Sequence, residues 1–431
     1  MKTIIKGGRI INPADDTDKI ADICIEDGII SEIGQNLVVK GTDTVVIDAT
    51  GLVVAPGLVD IHTHLREPGY EYKEDIESGT RSAAHGGFTS IACMPNTNPV
   101  ADNVTVINYI KTRAEQVGSV HVFPIGSITR GLTGDEMAPI GELKFAGAVA
   151  VSDDGRPVMN ANMMKNAMIY ANMFDMPVIS HCEDVSLAAD GVINDGLMAT
   201  TMGLRPITAA AEEVMVAREL TLARVTNTPV HIAHVSTRGS VELVRDAKSH
   251  GVRATCETCP HYFSLTDAAC EGFNTMAKMN PPLRGQADVD AIIEGLCDGT
   301  IDAIATDHAP HHQDEKTGEF DLAPNGIIGF ETALPLALTN LYHAGHMTLP
   351  KLIACMTKKP SDVLHLSKGE LRTGAMADIV IFDTEREITV CEEDIVSKAK
   401  NTPFIGKTLK GAVVYTIVRG KTVVSQGKLM K

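Results

Sequence analysis

Residues 57–66, Gly-Leu-Val-Asp-Ile-His-Thr-His-Leu-Arg, begin as a short apolar strand and end in two histidines and an arginine. Side chains alternate between the two faces of a strand, so His62 and His64 project to the same face and can bind one ion. The stretch therefore predicts a buried strand with chemically active side chains at its C-terminal end.

Eight short apolar strands of this kind alternate with helical stretches, which is the signature of parallel βα units. The strands are predicted over residues 57–61, 89–94, 120–124, 148–151, 177–180, 230–233, 252–257 and 303–306. Predicted helices such as 207–224 and 240–250 carry apolar residues three and four positions apart. His62 and Asp307, after the first and last strands, are 245 positions apart, close to the roughly 250 residues of an α/β barrel. The pattern predicts an α/β fold of the (β/α)8 TIM-barrel type.

Both ends of the chain have a different sequence pattern, in which short β-like runs are separated by turns. These runs are residues 3–5, 23–25 and 45–47 near the start, and 377–383 and 412–418 near the end. We predict that the two ends pair into one small β domain. The predicted organisation is a barrel over residues 56–367, with residues 1–55 and 368–431 forming the small domain.

Composition and charge limit the classes of partner. The chain is 44% hydrophobic and 22% charged, as in an ordinary soluble globular protein, and its net charge of -17 disfavours nucleic acid and anionic membranes. It shows neither a signal peptide nor the ~18 consecutive apolar residues of a membrane span. Nine cysteines, an odd number, fit reduced thiols better than a disulfide framework. We therefore expect a cytoplasmic protein in which any acidic substrate meets a locally positive site.

Residues that can bind a metal follow five of the predicted strands. They are His62, His64, Asp154, His181, His234 and Asp307. Barrel enzymes act at the C-terminal ends of their strands, so these side chains should converge on one mouth. One histidine at a strand end is more often a hydrogen-bonded structural residue, but leaving this whole set unpaired and desolvated would be costly. A metal site accounts for the set.

The donor atoms suit zinc, although nitrogen and oxygen ligands would also accept manganese, cobalt or iron. We choose zinc. A catalytic zinc ion lowers the pKa of water to about 7, which favours a hydrolase.

Four longer motifs resemble those of the bacterial class I dihydroorotases, in the amidohydrolase superfamily. They are VDIHTHLREPG at 59–69, CMPNT at 93–97, SDDG at 152–155 and ATDHAPH at 305–311. The resemblance spans nearly the whole chain. It implies a small β-sandwich made from both chain ends, and zinc-dependent, reversible hydrolysis of (S)-dihydroorotate to N-carbamoyl-L-aspartate in pyrimidine (UMP) synthesis.

The resemblance also implies roles for individual residues. It assigns His62, His64 and Asp307 to one zinc ion, His181 and His234 to a second, and Asp154 to a position that bridges or supports both. The sequence leaves one or two ions per subunit open, and we favour two. Asp307 would also be the catalytic acid and base. The implied substrate contacts are His64, Arg66, Asn96, Asn280, His311, Asn325 and Gly326.

Arg66 has a physical argument of its own. It lies two residues after His64, so its guanidinium can reach a substrate carboxylate beside the metal through two parallel hydrogen bonds. The alternative is a structural Arg66 paired with Glu67 or Glu71. His231, within strand six, is assigned to the structure rather than to the site.

The nearest alternative activities are those of hydantoinases, dihydropyrimidinases and allantoinases, which share the fold and metals but place a lysine on strand four. Residues 148–151 contain no lysine. The side chains of the adjacent Asp153 and Asp154 should point in different directions, so only one can face the metals. We choose Asp154, because it matches the family position and precedes Gly155, where a turn could direct a short carboxylate towards the metals. A further alternative is a catalytically inactive scaffold for aspartate carbamoyltransferase, although such a protein should have lost metal ligands.

The sequence leaves open a homodimer and an association with aspartate carbamoyltransferase. It does predict a mobile lid over the active site at residues 309–324, because this segment is long and polar for a barrel connection.

Overall fold

The computed structural model of the protein describes residues 2–38 and 44–430. Residues 1, 39–43 and 431 belong to the predicted terminal segments 1–55 and 368–431 and lie outside the described residues.

Strands and helices alternate through the middle of the chain, with strands at both ends. The strands are β1 (Lys2–Asn12), β2 (Thr17–Glu26), β3 (Ile29–Gly34), β4 (Thr44–Asp48), β5 (Val53–Pro56), β6 (Leu58–Thr63), β7 (Phe88–Cys93), β8 (His121–Pro124), β9 (Val151–Ser152), β10 (Val178–Ser180), β11 (Ile193–Asn194), β12 (Pro206–Ile207), β13 (Val230–Ile232), β14 (Ala254–Thr258), β15 (Ala303–Ile304), β16 (Ile379–Thr389), β17 (Thr408–Val418), β18 (Lys421–Ser425) and β19 (Lys428–Leu429). The helices are α1 (Ile76–His85), α2 (Val104–Val117), α3 (Ile140–Ala146), α4 (Ala161–Asn172), α5 (Val185–Ala188), α6 (Leu197–Met202), α7 (Ala210–Thr226), α8 (Arg238–Ser249), α9 (Gln286–Asp298), α10 (Gln313–Lys316), α11 (Phe330–Ala337), α12 (Leu349–Met356) and α13 (Lys358–Val363).

The central strands pair in parallel in two groups, β6-β7-β8 and β9-β10-β13-β14-β15. Isolated parallel bridges join the groups at both edges, from Gly126 to Val151 and from Thr63 to His308. At the second edge the backbone N–H of His64 also donates to the carbonyl of His308 over 2.9 Å. Parallel strands alternating with helices confirm the predicted α/β class, and all eight predicted strands have a counterpart among these two groups.

Apolar side chains fill the space between the central strands. This inner core includes Val59 and Ile61 of β6, Ile179 of β10, and the alanines of neighbouring strands. Val363 at the end of α13 and the following Leu364 belong to the same core. A larger core lies between the strands and the helices. Because both faces of the strands are covered by apolar groups, the polar residues gather where the strands end.

The two chain ends form one sheet of nine strands. Its order is β19-β18-β17-β16-β5-β1-β2-β3, with β4 paired to β1. The N-terminal and C-terminal halves meet where β5 and β16 run antiparallel, with Val54 opposite Ile381. Side chains of both ends, such as Ile23 and Ile417, share one apolar core. The predicted pairing of the two ends is therefore confirmed.

Local sequence signals fix several helix boundaries. Asp75 and Ser78 form a capping box at the start of α1, and the side chain of Asn103 accepts from backbone N–H groups at the start of α2. Gly147 ends α3 with φ of 109°, a left-handed conformation that glycine adopts without strain. Among the described residues, none of the helices combines the length and the apolar character that crossing a membrane requires.

Candidate metal centre

The six predicted metal ligands converge at the C-terminal ends of the central strands. They are His62 at the end of β6, His64 just after it, Asp154 after β9, His181 after β10, His234 after β13 and Asp307 after β15. Each is at most 5% exposed. Residues up to 245 positions apart in sequence thus meet in one buried cluster.

Asp154 lies at the centre of the cluster. Its Oδ1 atom is 3.3 Å from Nε2 of His62, 3.5 Å from Nε2 of His234 and 3.8 Å from Nδ1 of His181. Its Oδ2 atom is 3.6 Å from Nε2 of His64. The donors form two groups, each with all its ligand atoms within 4.8 Å of one another, and Asp154 belongs to both.

Asp307 adds a second carboxylate beside the first group. Its Oδ1 atom lies 3.0 Å from Nε2 of His64 and 3.6 Å from Nε2 of His62. Burial alone would raise the pKa of both Asp154 and Asp307, but the neighbouring histidines outweigh burial and hold both pKa values below the ordinary range. The cluster therefore offers two ionised oxygen donors.

The residues fit a bound metal ion. Nε2 of His62 and Oδ1 of Asp154 are buried and make no hydrogen bond with the described residues. Such groups are costly to bury unless something else satisfies them. Their nitrogen and oxygen lone pairs point into the shared cluster and are donors that divalent metal ions accept. The cluster is therefore a candidate metal-binding site.

An unusual backbone conformation sets the direction of three side chains at this end of the strands. His234, Asp307 and Arg66 have positive φ values of 33°, 47° and 62°. Left-handed conformations at residues other than glycine cost roughly 1 to 3 kcal/mol each and persist where the surroundings enforce them. The first and last central strands are tied together at this end, because Asp60 accepts hydrogen bonds from the backbone N–H groups of His62 and Thr306.

The adjacent Asp153 points away from the cluster. Its Oδ1 atom accepts hydrogen bonds from the backbone N–H groups of Ile128 (2.7 Å) and Thr129 (3.0 Å), and its Oδ2 atom accepts from the Thr129 hydroxyl. Asp153 thus holds the loop after β8, while Asp154 faces the histidines.

A cavity of about 550 Å³ opens onto the cluster. All seven predicted substrate contacts line it: His64, Arg66, Asn96, Asn280, His311, Asn325 and Gly326. Arg156, which the sequence reasoning did not select, also lines it. The cavity therefore joins the metal-binding site to a wall of amide, imidazole and guanidinium groups.

The guanidinium of Arg66 is held at the cavity by neutral groups. Its Nε atom donates to the carbonyl of Pro310 over 3.1 Å, and an Nη atom lies 3.3 Å from Nε2 of His311. Burial and the nearby Arg66 cation lower the pKa of His311 below its ordinary range, so this imidazole is neutral.

The alternative pairing of Arg66 with a neighbouring glutamate is wrong. Glu67 instead accepts a hydrogen bond from Arg113, at 3.1 Å, and Glu71 accepts one from the backbone N–H of Gly69. Both carboxylates have other partners, which leaves the charge of Arg66 available to the cavity.

The amide side chains have supporting contacts. Oδ1 of Asn96 lies 3.0 Å from Nδ1 of His64, so Asn96 orients this ligand as well as lining the cavity. Asn280 donates to Oε2 of Glu183, which is 3.4 Å from Nε2 of His181.

Gly326 has φ of 150°, and a Cβ atom there would lie 2.7 Å from the carbonyl oxygen of Ala309, so the backbone can adopt this position only with glycine.

Three residues that support the site were missed by the sequence reasoning. Glu183 lies two positions after His181, and Glu257 is the last residue of a predicted strand, so both carried a positional signal. Asn401 carried none. Its side chain bonds to the backbone of Ala309, His311 and Gly326, from the C-terminal segment of the chain.

The segment predicted as a lid borders the cavity but is not uniformly polar and exposed. It contains α10, and the side chains of Lys316 and Phe320 are 1% and 3% exposed. Nζ of Lys316 donates to the carbonyls of Pro324 and Gly326. A lysine can be buried here because backbone carbonyls satisfy its amine. The mobility of this segment stays a prediction.

All nine cysteines are unpaired, and Cys256 and Cys259, whose spacing could also suit a metal ion, are buried and belong to neither donor group.

Comparison with known proteins identifies relatives over the whole chain. A family model described as Dihydro-orotase-like matches residues 51–240, and one described as Amidohydrolase family matches residues 330–424. The dihydroorotase of Acetivibrio thermocellus is 58% identical over 427 residues, covering 99% of this chain and 100% of that protein. The dihydroorotase of Ruminiclostridium cellulolyticum is 57% identical over 430 residues, covering 100% of both chains.

Solved structures show the same fold. The L-hydantoinase (dihydropyrimidinase) of Arthrobacter aurescens matches with a TM-score of 0.90 and 27% sequence identity, covering 100% of this chain and 97% of that one.

Proposed function

Since this chain belongs to the dihydroorotase family, we propose that it catalyses the reversible hydrolysis of (S)-dihydroorotate to N-carbamoyl-L-aspartate, a step of pyrimidine synthesis. The observation that carries the proposal is the single cavity that joins Arg66 to the buried histidine and aspartate cluster. A site for dihydroorotate needs both features. The cation would bind the substrate carboxylate, and the cluster would act on the ring amide that is hydrolysed.

We assign the cluster to two zinc ions per subunit. His62, His64 and Asp307 would hold one ion and His181 and His234 the other, with Asp154 shared between them; the support is that both donor groups include Asp154. When bound, such ions supply Lewis-acid chemistry, lowering the pKa of water and polarising a carbonyl oxygen.

Arg66 would bind the substrate carboxylate. The guanidinium offers parallel donors that match a carboxylate, and the partners it has now are neutral. Asn96, Asn280 and the neutral His311 would hydrogen-bond the polar edges of the ring, and the backbone of Asn325 and Gly326 would complete the contact. Fixing the ring in this way holds its amide carbon against the cluster, which reduces the entropy lost on reaching the transition state.

Asp307 would move the proton. Its carboxylate lines the cavity, and it would accept a proton from the attacking water and deliver it to the ring nitrogen as the amide C–N bond breaks. In the synthetic direction the same carboxylate would take the proton from the ureido nitrogen and release it with water.

The fold assignment extends the same proposal. We interpret the eight central strands as a closed (β/α)8 barrel over residues 56–367, because parallel bridges join the two strand groups at both edges. Residues 1–55 and 368–431 would form the small β-sandwich. The homodimer, the association with aspartate carbamoyltransferase and the cytoplasmic location stay predictions; light scattering of the chain, alone and mixed with that enzyme, would test the first two.

A substrate panel tests the activity. The zinc-loaded protein should hydrolyse dihydroorotate in preference to hydantoin, dihydrouracil and allantoin, because these three rings lack the carboxylate that Arg66 would bind. Asp307→Asn should abolish turnover while the protein stays folded, since an amide cannot carry the proton. Preferred turnover of hydantoin or dihydrouracil would assign the chain to the hydantoinase type of activity instead.

A further inference from the structure

Glu257 is a fully buried carboxylate in contact with the metal-binding site. It lies in β14 and is 0% exposed. Its Oε1 atom is 2.6 Å from Nδ1 of His62, a residue of β6 that lies 195 positions away in sequence. A carboxylate oxygen at this distance from a ring nitrogen accepts a hydrogen bond from it.

This contact determines which nitrogen of His62 is free. A neutral imidazole has one N–H group and one lone pair, and the neighbour of one nitrogen fixes the role of the other. With a carboxylate at Nδ1, the proton stays on Nδ1 and the lone pair stays on Nε2. Nε2 is the atom that faces Oδ1 of Asp154 at 3.3 Å and Oδ1 of Asp307 at 3.6 Å.

The other oxygen of the carboxylate faces His231. Nε2 of His231 lies 3.2 Å from Oε2 of Glu257, without the alignment of a hydrogen bond, and Nδ1 of His231 lies 2.8 Å from the Thr255 hydroxyl. His231 is 1% exposed and belongs to β13. Side chains of three strands, β6, β13 and β14, thus form one buried row that ends at His62.

We propose that Glu257 is a positioning residue: it fixes the tautomer and ring orientation of His62 for metal binding, and His231 holds Glu257 from behind. The inference deepens the proposed function, because it rests on a metal ion bound at His62. It assigns a role to His231 beyond filling the interior of the strands. Residues that orient a metal-binding histidine in this way typically contribute about 10- to 100-fold to metal affinity or activity.

Glu257→Gln in the full-length protein tests the proposal. The variant keeps the shape of the side chain and removes its charge. The Zn²⁺ dissociation constant, measured on metal-free protein by competition with a chelator, should rise about 10- to 100-fold. Glu219→Gln is the matched control, because Glu219 is also 0% exposed but contacts Arg218 and Ser180. The control should bind Zn²⁺ within twofold of the unaltered protein.

A spectroscopic readout separates positioning from general stability. In Co²⁺-loaded protein, the exchangeable Nδ1–H proton signal of His62 should shift in E257Q and stay in place in E219Q. If E257Q does not fold, His231→Gln provides the second test, with a smaller loss of Zn²⁺ affinity and a smaller shift expected.

The outcomes distinguish the two proposals. If the unaltered protein binds Zn²⁺ and E257Q binds it within twofold with an unchanged His62 signal, Glu257 does not position His62, and the inference is overturned while the metal centre stands. If the unaltered protein binds no Zn²⁺, the metal centre itself is wrong.

Discussion

We propose that the charge of Arg66, which lines the cavity, separates dihydroorotate from uncharged cyclic amides. Charge-assisted hydrogen bonds contribute about 1.5 to 3 kcal/mol each, so Arg66→Ala should lower kcat/KM for dihydroorotate about 10- to 100-fold, mainly through KM. Steady-state kinetics and metal analysis check this expectation. Zinc content should be unchanged, because Arg66 contacts Pro310 and His311 and none of the six ligands.

Arg66→Lys is the matched control for this prediction. It retains the charge but not the parallel donors, so it should recover part of the lost affinity. Full activity of the alanine variant would show that another group binds the carboxylate.

Asp153 and Asp154 provide a matched pair of neighbouring residues with different contacts. Asp154→Ala removes the carboxylate shared by both donor groups and should weaken zinc binding by more than the roughly 10- to 100-fold expected for loss of a supporting residue. Asp153→Ala should retain zinc and lose stability, because its bonds to Ile128 and Thr129 hold a loop. Metal analysis and thermal unfolding of both variants test the ranking, and the reverse ranking would contradict it.

At the scale of elements, the segment after β15 forms one wall of the cavity and is anchored by a buried lysine. Lys316→Met removes the donors to the carbonyls of Pro324 and Gly326. These carbonyls lie on either side of Asn325, in the stretch of backbone proposed to contact substrate. Each such bond contributes about 0.5 to 1.5 kcal/mol. Because their loss frees the backbone around Asn325, KM for dihydroorotate should rise about tenfold while zinc content is unchanged.

The exposed Asp314 in α10 supplies the control for this element. Its side chain is 90% exposed, so Asp314→Asn should leave KM unchanged. An unchanged KM in both variants would show that the wall does not depend on the buried lysine.

At the scale of the whole molecule, Asp378 links the terminal sheet to the central strands. It precedes β16, lies 3.0 Å from Nε2 of His121 in β8 and 2.6 Å from Nζ of Lys368, and accepts from the backbone N–H of Arg419. Burial opposes its ionisation, but His121 and Lys368 outweigh burial and lower the pKa of Asp378 to about 2. Its pKa is about 3.9 in an unfolded chain.

This difference gives a pH dependence with a definite sign. The unfolded chain binds the proton more tightly, so Asp378 contributes about 2.5 kcal/mol of stability above pH 4, lost as the pH falls from about 4 to about 2. Asp378→Asn should therefore be less stable than the unaltered protein in urea unfolding at pH 7, and the difference should shrink towards pH 3. The exposed Glu385→Gln is the control, and a difference independent of pH would contradict the assignment.

The sequence by itself determined the α/β alternation, the pairing of the two chain ends and the strand ends from which the six predicted metal ligands project. These features follow from local patterns: apolar runs, two-residue periodicity and the position of His, Asp and Arg directly after a strand. Strand alternation also predicted that only one of Asp153 and Asp154 faces the metals, because adjacent side chains on a strand point apart. The choice of Asp154 came from the family resemblance and from the following Gly155.

The tertiary structure alone decided which groups support the site. Glu257 faces His62 because β13, β14 and β6 bring one row of side chains together across the interior, and Asn401 reaches the cavity wall from the C-terminal segment. The burial of Lys316 could not be predicted either, because the polar composition of residues 309–324 indicated a mobile lid. Strand register and the path of the backbone bring Glu257 to His62 and Asn401 to Ala309, although these pairs are 195 and 92 positions apart in sequence. Neither contact could therefore be predicted from spacing along the chain.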